Sequence, residues 1–224
     1  MRGIMNLNAR MVVVLALIMA GLHIGSLPCW TAEGGAWELF SAKCDQYYLH
    51  PAPEELIPAL NDVLARKQPI SDFVDAKGIH FFATIAHDDK KFLANLRSMR
   101  NAYEVNKKVF LIQIITKAEN FTTPEPDSIW NLERLMGEFF ARGRKETIVR
   151  IISAIQNKKE NRIFKITVGQ HAIWMLEAYG FHHERIYEVI NEEYQKSDVE
   201  QKKILGGIIS GIEDLKEPEK EEEA

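Results

Sequence analysis

Cysteine is scarce in this sequence, in which only Cys29 and Cys44 occur among 224 residues. Two cysteines exclude a small disulfide scaffold, because such a fold needs several cross-links to compensate for a small core. Glycine and proline are also few, with 13 and 8 residues, which excludes a collagen-like chain and a chain disordered through glycine and proline. Hydrophobic residues make up 46% of the sequence, so we expect a globular core.

Motifs of catalytic chemistry are absent from the sequence as well. It contains no glycine-rich phosphate loop, no nucleophile elbow and no dinucleotide fingerprint, and these motifs build the phosphate, nucleophile and cofactor sites of many enzymes. The glycines at 206, 207 and 211 lie within an apolar helical pattern, without the strand and lysine of a phosphate loop. These absences favour a non-enzymatic protein, and we predict no cofactor.

Charge is distributed unevenly along the chain, whose formal net charge is −4. Residues 1–32 contain two basic residues and no acidic one, whereas residues 213–224 contain seven acidic and two basic residues. The C-terminal residues are too polar to be buried. We therefore predict a disordered acidic tail at residues 214–224.

The N-terminal sequence has the pattern of an export signal. Arg2 and Arg10 precede an apolar run at residues 11–20, which is the order of charge and hydrophobicity that the secretion machinery recognises. We predict that residues 1–32 form a signal peptide or an uncleaved signal anchor, since the stretch up to Trp30 is long enough to span a bilayer core of about 30 Å. Both alternatives export the body of the chain, as a periplasmic, secreted or membrane-anchored protein.

The body of the chain has the periodicity of an all-α protein. From residue 51 onward apolar side chains recur every three or four residues, which places them on one face of a helix. We predict an all-α helical domain at residues 51–213, preceded by a linker at residues 33–50. Residues 105–118 are apolar on most sides and are expected at the centre of the core. Residues 164–179 are expected to form one helix that ends at Gly180.

An internal similarity leaves two architectures open. Phe81-Phe82-Ala83 and Phe139-Phe140-Ala141 are each followed by an apolar helical stripe. Repeated helix pairs of this kind predict a short α-solenoid of stacked helical hairpins. No fixed repeat period is sustained along the chain, so an irregular helical bundle is the alternative.

One segment of the body resembles a family of other proteins. Residues 128–155, with Phe139-Phe140-Ala141-x-Gly143 ahead of Ile151-Ile152-x-x-Ile155, are similar to a segment of an uncharacterised family of exported all-α-helical bacterial proteins. The resemblance covers residues 54–191 and implies a helical fold and export. It implies no functional residue, and Met136 stands where the family pattern has a tryptophan.

The C-terminal half contains the candidate metal ligands, and these are weak ones. Zinc takes three or four nitrogen, sulfur or oxygen ligands at about 2.0–2.3 Å, and the candidates are His171, His182, His183 and Glu184. Successive residues of a helix point about 100° apart. His182 and His183 can therefore bind the same metal ion only if they lie in a turn and not in a helix. Cys44 is a candidate nucleophile if a histidine activates it. These residues define an alternative hypothesis, an exported metal- or thiol-dependent hydrolase, although a polar helix start at Glu184 explains the same pattern without metal.

A second histidine cluster lies in the first half of the body. His80 and His87 are seven residues apart and share one face of a helix. Asp88 and Asp89 follow and are suited to cap the next helix. We predict two buried, hydrogen-bonded histidines beside a capping aspartate.

Basic residues concentrate between residues 142 and 165, where eight of them accompany only Glu146 and Glu160. Clustered bases neutralise the phosphates of nucleic acids or lipids, but export and the lack of interleaved aromatic residues argue against nucleic acid. A solvated face, an acidic partner, an anionic membrane surface and the chain's own acidic tail remain open as interpretations. The candidate binding residues are Arg142, Arg144, Lys145, Lys158, Lys159 and Arg162.

Taken together, these patterns predict an exported, non-enzymatic binding or scaffold module. Its expected partner is another envelope or secreted protein, with an anionic membrane surface as the alternative and nucleic acid excluded.

Overall fold

The computed structural model describes residues 43–65, 76–161 and 163–216. This part of the chain is an all-α helical bundle, so the predicted fold class is confirmed. A pair of two-residue antiparallel strands lies between the sixth and seventh helices, with Glu160 opposite Thr167 and Asn161 opposite Ile166. The elements are α1 (Pro53–Ala65), α2 (Ala76–Asp88), α3 (Lys90–Met99), α4 (Val105–Glu119), α5 (Ile129–Arg142), α6 (Lys145–Ser153), β1 (Glu160–Asn161), β2 (Ile166–Thr167), α7 (Val168–His182), α8 (Glu184–Lys196) and α9 (Val199–Lys216), with single 3₁₀ turns at Tyr47–Leu49 and Arg100–Ala102.

Local side-chain chemistry sets the ends of several helices. Asp89 caps α3, because its carboxylate accepts hydrogen bonds from the backbone N–H groups of the first turn, and Ser128 caps α5 in the same way. Thr167 and Gln170 form a reciprocal capping box at the start of α7. α5 ends at Gly143, which has a left-handed φ of 64° that favours glycine.

α2 and α5 form the centre of the bundle and pack against each other more extensively than any other pair of described helices. α2 is buried from His80 to Ala86, and the paired phenylalanines of both helices lie in the core. The two backbones approach closely at Gly137, where an added Cβ would overlap the carbonyl oxygen of Lys77. A small residue is therefore required at this crossing.

The architecture is a helical bundle, in which α2 packs on α5 although two helices separate them in sequence. The internal similarity has a different consequence here. His80 precedes the first phenylalanine pair and Glu138 precedes the second, and these two equivalent positions face each other across the crossing.

α4 does not lie at the centre of the core, so the prediction for residues 105–118 is wrong in that respect. The helix forms as expected, and Phe110, Leu111, Ile114 and Ile115 are buried. Val105, Val109 and Ile112 are exposed on its opposite side. α2 takes the central position because it packs with helices on several sides, whereas α4 contacts the bundle through one face.

The predicted helix at residues 164–179 begins later and ends later than expected. Residues up to Thr167 belong to the short hairpin, because the Asn161 side chain accepts hydrogen bonds from the backbone N–H groups of Ile163 and Phe164 and closes a turn. α7 then runs through Gly180 to His182. Gly180 is a packing glycine, since a Cβ there would lie 2.6 Å from the Cδ1 atom of Ile212.

Both predicted boundaries of the helical domain also shift. Tyr47 lies in the core and Tyr48 packs on Phe139, so residues 43–50 are part of the fold rather than of a linker. α9 extends to Lys216, three residues into the predicted tail. The predicted signal at residues 1–32, the rest of the tail and Arg162 lie outside the described residues. Among the helices that are described, none is long and apolar enough to cross a membrane.

Candidate functional site

A buried chain of polar groups crosses the contact between α2 and α5. His80 and Glu138 are 1% and 3% exposed, and the His80 Nε2 atom lies 3.8 Å from the Glu138 Oε2 atom. Arg142 donates to Glu138 Oε1 at 2.6 Å and, through Nε and a terminal nitrogen, to both carboxylate oxygens of Asp88 at 2.7 and 2.8 Å. The groups thus lead from the interior to the surface in the order His80, Glu138, Arg142, Asp88.

Phe121, in the loop after α4, covers this chain. Its ring stacks on His80 and His87 with centroid distances of 5.2 and 4.7 Å. The Arg142 guanidinium carbon lies 4.8 Å from the centroid of the same ring, within the range of a cation–π interaction. The loop therefore packs on the polar chain through the ring of Phe121.

The histidine cluster expected from the sequence is present in part. His87 contacts the Ala118 carbonyl oxygen at 3.1 Å through Nδ1, and Asp89 caps α3 as predicted. His80 is buried, but neither of its ring nitrogens forms a hydrogen bond with any residue that the structure describes. The expectation of a hydrogen-bonded His80 is therefore wrong, because Glu138 Oε2 lies 3.8 Å from its Nε2 atom, beyond hydrogen-bond distance, and the hydrogen bonds from Arg142 and Thr123 are accepted by Glu138 Oε1.

The pKa values of Glu138 and His80 are both shifted downwards, for different reasons. Burial acts to raise the pKa of Glu138, but His80 and the Arg142 guanidinium outweigh this effect and lower that pKa. The hydrogen bond from Arg142 likewise lowers the pKa of Asp88. Burial lowers the pKa of His80 against the opposing effect of Glu138. A neutral imidazole beside a carboxylate resembles a general-base pair, but here both groups are closed off from solvent and substrate.

A second polar cluster lies further along the same helices, between α2, α5 and α7. The Lys77 ammonium donates to the Tyr179 hydroxyl at 2.8 Å and lies 5.6 Å from the centroid of the Phe140 ring. Tyr48 and His183 extend the cluster, with 3.4 Å between the Tyr48 hydroxyl and the His183 Nδ1 atom. Burial lowers the pKa of His183. These contacts join the segment before α1 to the end of α7.

Cys44 lies beside this second cluster and has the properties of an unreactive thiol. Burial raises the pKa of Cys44 far above its ordinary value, and Asp45 raises it further. A thiol nucleophile reacts as the thiolate, and a raised pKa disfavours that form. The surroundings of Cys44 therefore oppose the thiol-dependent version of the hydrolase hypothesis.

The four candidate metal ligands are not brought together. His171 Nε2 lies 2.9 Å from Glu133 Oε1, Glu184 Oε2 lies 3.6 Å from the Lys216 ammonium, and His183 belongs to the aromatic cluster. His182 is exposed at the last position of α7. Within the described ranges, no group of three or more His, Cys, Asp or Glu side chains could hold a metal ion.

The basic segment of residues 142–165 separates into two parts. In the first part Arg142 is bound by Asp88 and Glu138, Lys145 pairs with Glu192 at 3.1 Å, and Arg150 donates to the Pro124 carbonyl oxygen at 2.8 Å and pairs with Glu125. Arg144 is exposed at the N-cap of α6. In the second part Lys158, Lys159 and Lys165 are exposed on the hairpin, and none of them forms an ion pair with another described residue.

Large apolar side chains are exposed beside these three lysines. Ile163 and Phe164 are 74% and 50% exposed at the hairpin turn, and Trp130 at the start of α5 is 46% exposed. The Trp130 and Phe164 ring centroids lie 6.0 Å apart. We call the set of Trp130, Lys158, Lys159, Ile163, Phe164 and Lys165 the basic hairpin surface. The sequence analysis identified two of its lysines but missed its apolar members, because Phe164 was assigned to a helix.

No protein-family model, curated protein or solved structure matches this chain. The resemblance to exported helical bacterial proteins therefore stays a prediction, and function has to be argued from the residues themselves.

Proposed function

We propose that the protein is an exported, non-enzymatic binding module and that it binds through the basic hairpin surface. The observation that carries this proposal is the exposure of Ile163, Phe164 and Trp130 next to lysines without described ion-pair partners. Contiguous exposed apolar residues with a polar rim mark interaction sites on soluble domains, and aromatic side chains are frequent anchors at such sites.

The interior of the bundle supports the non-enzymatic part of the proposal. Among the side chains with the chemistry of acids, bases and nucleophiles, His80 and Glu138 are buried and face each other, His183 packs on Phe140, and Cys44 is half-buried. The candidate metal ligands are dispersed. In this proposal the bundle supports the hairpin and carries out no chemistry of its own.

Site-specific photo-crosslinking tests the binding surface. A benzophenone-bearing phenylalanine at position 164, in the full chain expressed in its native host, is expected to form adducts with a protein or a lipid. The same residue at position 199, which is almost fully exposed on α9, is the control and should form few adducts. Equal labelling from both positions, or no adduct from position 164, contradicts the proposal.

Export is tested separately on the same chain. A mass spectrum of the protein recovered from the cell envelope or medium identifies the mature N-terminus. Cleavage near residue 32 supports a signal peptide, an intact Met1 in the membrane fraction supports the uncleaved anchor, and recovery of the whole chain from the cytoplasm contradicts export.

A further inference from the structure

We infer that the hairpin of residues 158–167 docks on an anionic lipid membrane, an inference that rests on the proposed binding function and names its partner. Ile163 and Phe164 enter the boundary between headgroups and acyl chains. Lys158, Lys159 and Lys165 meet the lipid phosphates, and Trp130 lies at the level of the headgroups.

Backbone N–H groups of the turn have hydrogen-bond partners within the hairpin, which suits them to the membrane interface. The N–H groups of Ile163 and Phe164 donate to the Asn161 side chain at 2.9 and 3.1 Å, and the Lys165 N–H donates to the Asn161 carbonyl at 2.8 Å. A turn whose N–H groups are satisfied internally loses little when water is removed from it. The apolar side chains of the tip can therefore leave water without stranding these donors.

The charges of the hairpin are complementary to anionic lipid. Lys158, Lys159 and Lys165 are exposed, and Glu160 is the acidic residue among the described residues of the hairpin. Each lysine near an anionic membrane strengthens binding by about fivefold. A long lysine stem follows an apolar surface while its ammonium group stays in the headgroup region.

Composition favours a membrane over a protein as the occupant. Protein–protein interfaces are depleted in lysine and retain an aromatic core surrounded by a polar rim. The basic hairpin surface has as many lysines as large apolar side chains, and Lys165 directly follows Ile163 and Phe164. Lysine next to tryptophan, phenylalanine and aliphatic residues is the combination found where helices and turns bind the membrane interface.

An environment-sensitive fluorophore at the tip tests this inference directly. The label is attached to Ile163→Cys in the full chain, with Cys29→Ser and Cys44→Ala removing the other thiols. Its emission is followed on adding vesicles of phosphatidylcholine alone or of phosphatidylcholine with one third phosphatidylglycerol. A label on Val199→Cys is the control for position, and it also reports whether an uncleaved N-terminal anchor merely tethers the chain.

The expected result is a blue shift and a rise in emission at position 163 with the anionic vesicles only. Raising the salt from ~0.1 to ~1 M, which shortens the Debye length from ~10 to ~3 Å, should weaken this response. Lys158→Gln, Lys159→Gln and Lys165→Gln together should reduce the apparent affinity by about a hundredfold. The matched control replaces Lys91, Lys108 and Lys203, all exposed elsewhere, with glutamine and should leave the affinity within about twofold.

The apolar part of the inference has its own variant. Phe164→Ser should lower the apparent affinity by about tenfold, whereas Val199→Ser should not change it. No response at position 163, an equal response to both kinds of vesicle, or a response that the hairpin lysine variants leave unchanged overturns the inference. If position 164 then crosslinks to a protein in cells, the binding function stands with a protein partner; if it crosslinks to nothing, the proposed function fails too.

Discussion

The two parts of the basic segment have the same content of charged residues, four bases and one acid each, but their bases have different structural surroundings. In the first part, Arg142, Lys145 and Arg150 contact acidic or carbonyl oxygens from α2, α5, α8 and the loop before α5, and Arg144 is exposed. In the second part, Lys158, Lys159 and Lys165 are exposed and form no ion pair with another described residue. The difference arises from the chain that surrounds each base, because helices packed side by side supply counter-charges and a projecting hairpin does not. Local charge density therefore does not distinguish a structural base from a binding base.

The largest expected effect on stability comes from replacing Arg142 with methionine. Arg144→Met is made separately as the control. Arg142→Met leaves the buried Glu138 carboxylate without its charged partner, and breaking a buried pair in this way costs about 3–5 kcal/mol of unfolding free energy. Arg144 is two residues away and exposed, so Arg144→Met should change stability by less than about 0.5 kcal/mol. Urea unfolding measures both. Equal losses would show that Arg142 is no more structural than its neighbour.

The difference between these two arginines also shows how far the sequence could predict the structure. Apolar periodicity and local caps, such as Asp89 and Ser128, depend on residues within one turn of each other, and the helices they predict are present. The contact between His80 and Glu138, and the ion pair between Arg142 and Asp88, depend on which helix faces pack together. That information is distributed over distant parts of the chain, so a single sequence read locally does not contain it.

The hairpin was missed for a different reason. Ile163 and Phe164 continue the apolar pattern of the following helix in sequence, and the prediction included Phe164 in that helix. Two local interactions outweigh that pattern, namely the acceptance of two backbone N–H groups by the Asn161 side chain and the capping box of Thr167 with Gln170. An asparagine followed six residues later by a threonine is a weak signal on its own. The exposed surface therefore could be found only from the structure.

The pH dependence of stability tests the buried end of the polar chain that leads from His80 through Glu138 and Arg142 to Asp88. The pKa of His80 is lowered from its ordinary value of 6.5 because burial outweighs the favourable effect of Glu138, while Lys117 and Arg134 lower it further. As the pH falls from about 6.5 towards this lowered pKa, the unfolded chain binds a proton that the folded chain does not. The free energy of unfolding should therefore decrease over this range.

His80→Phe should flatten this pH dependence, because the aromatic ring that stacks on Phe121 is kept while the titrating group is removed. Chemical unfolding at several pH values between about 7.5 and 5 measures the slope. Burial lowers the pKa of His183 as well, so part of the slope should remain and should disappear in the double variant with His183→Phe. An unchanged slope in His80→Phe would show that this histidine titrates in the folded protein as it does in the unfolded chain.

Replacing Lys165 should affect the stability of the fold and the response to anionic vesicles in opposite directions. Its φ of 54° lies in the left-handed region, which is unfavourable for most residues and in which asparagine is enriched. Lys165→Asn should therefore stabilise the fold slightly, by about 0.5 kcal/mol, while it weakens the response to anionic vesicles. A thermal melt and the vesicle titration together check these opposite signs. A loss of stability in Lys165→Asn would instead give the lysine a structural role.

The smallest expected effect on stability tests whether the second part of the segment has any structural role. Lys158 and Lys159 are exposed and form no described ion pair, so Lys158→Gln with Lys159→Gln should change the unfolding free energy by less than about 0.5 kcal/mol. The backbone N–H of Lys159, which donates to the Asn157 side chain, is kept in this variant. A loss comparable to that of Arg142→Met would mean that these lysines neutralise acidic groups of the chain itself, and the contrast between the two parts of the segment would then be false. An unchanged stability leaves the two lysines available for a partner outside the chain, which is the condition that docking on an anionic membrane requires.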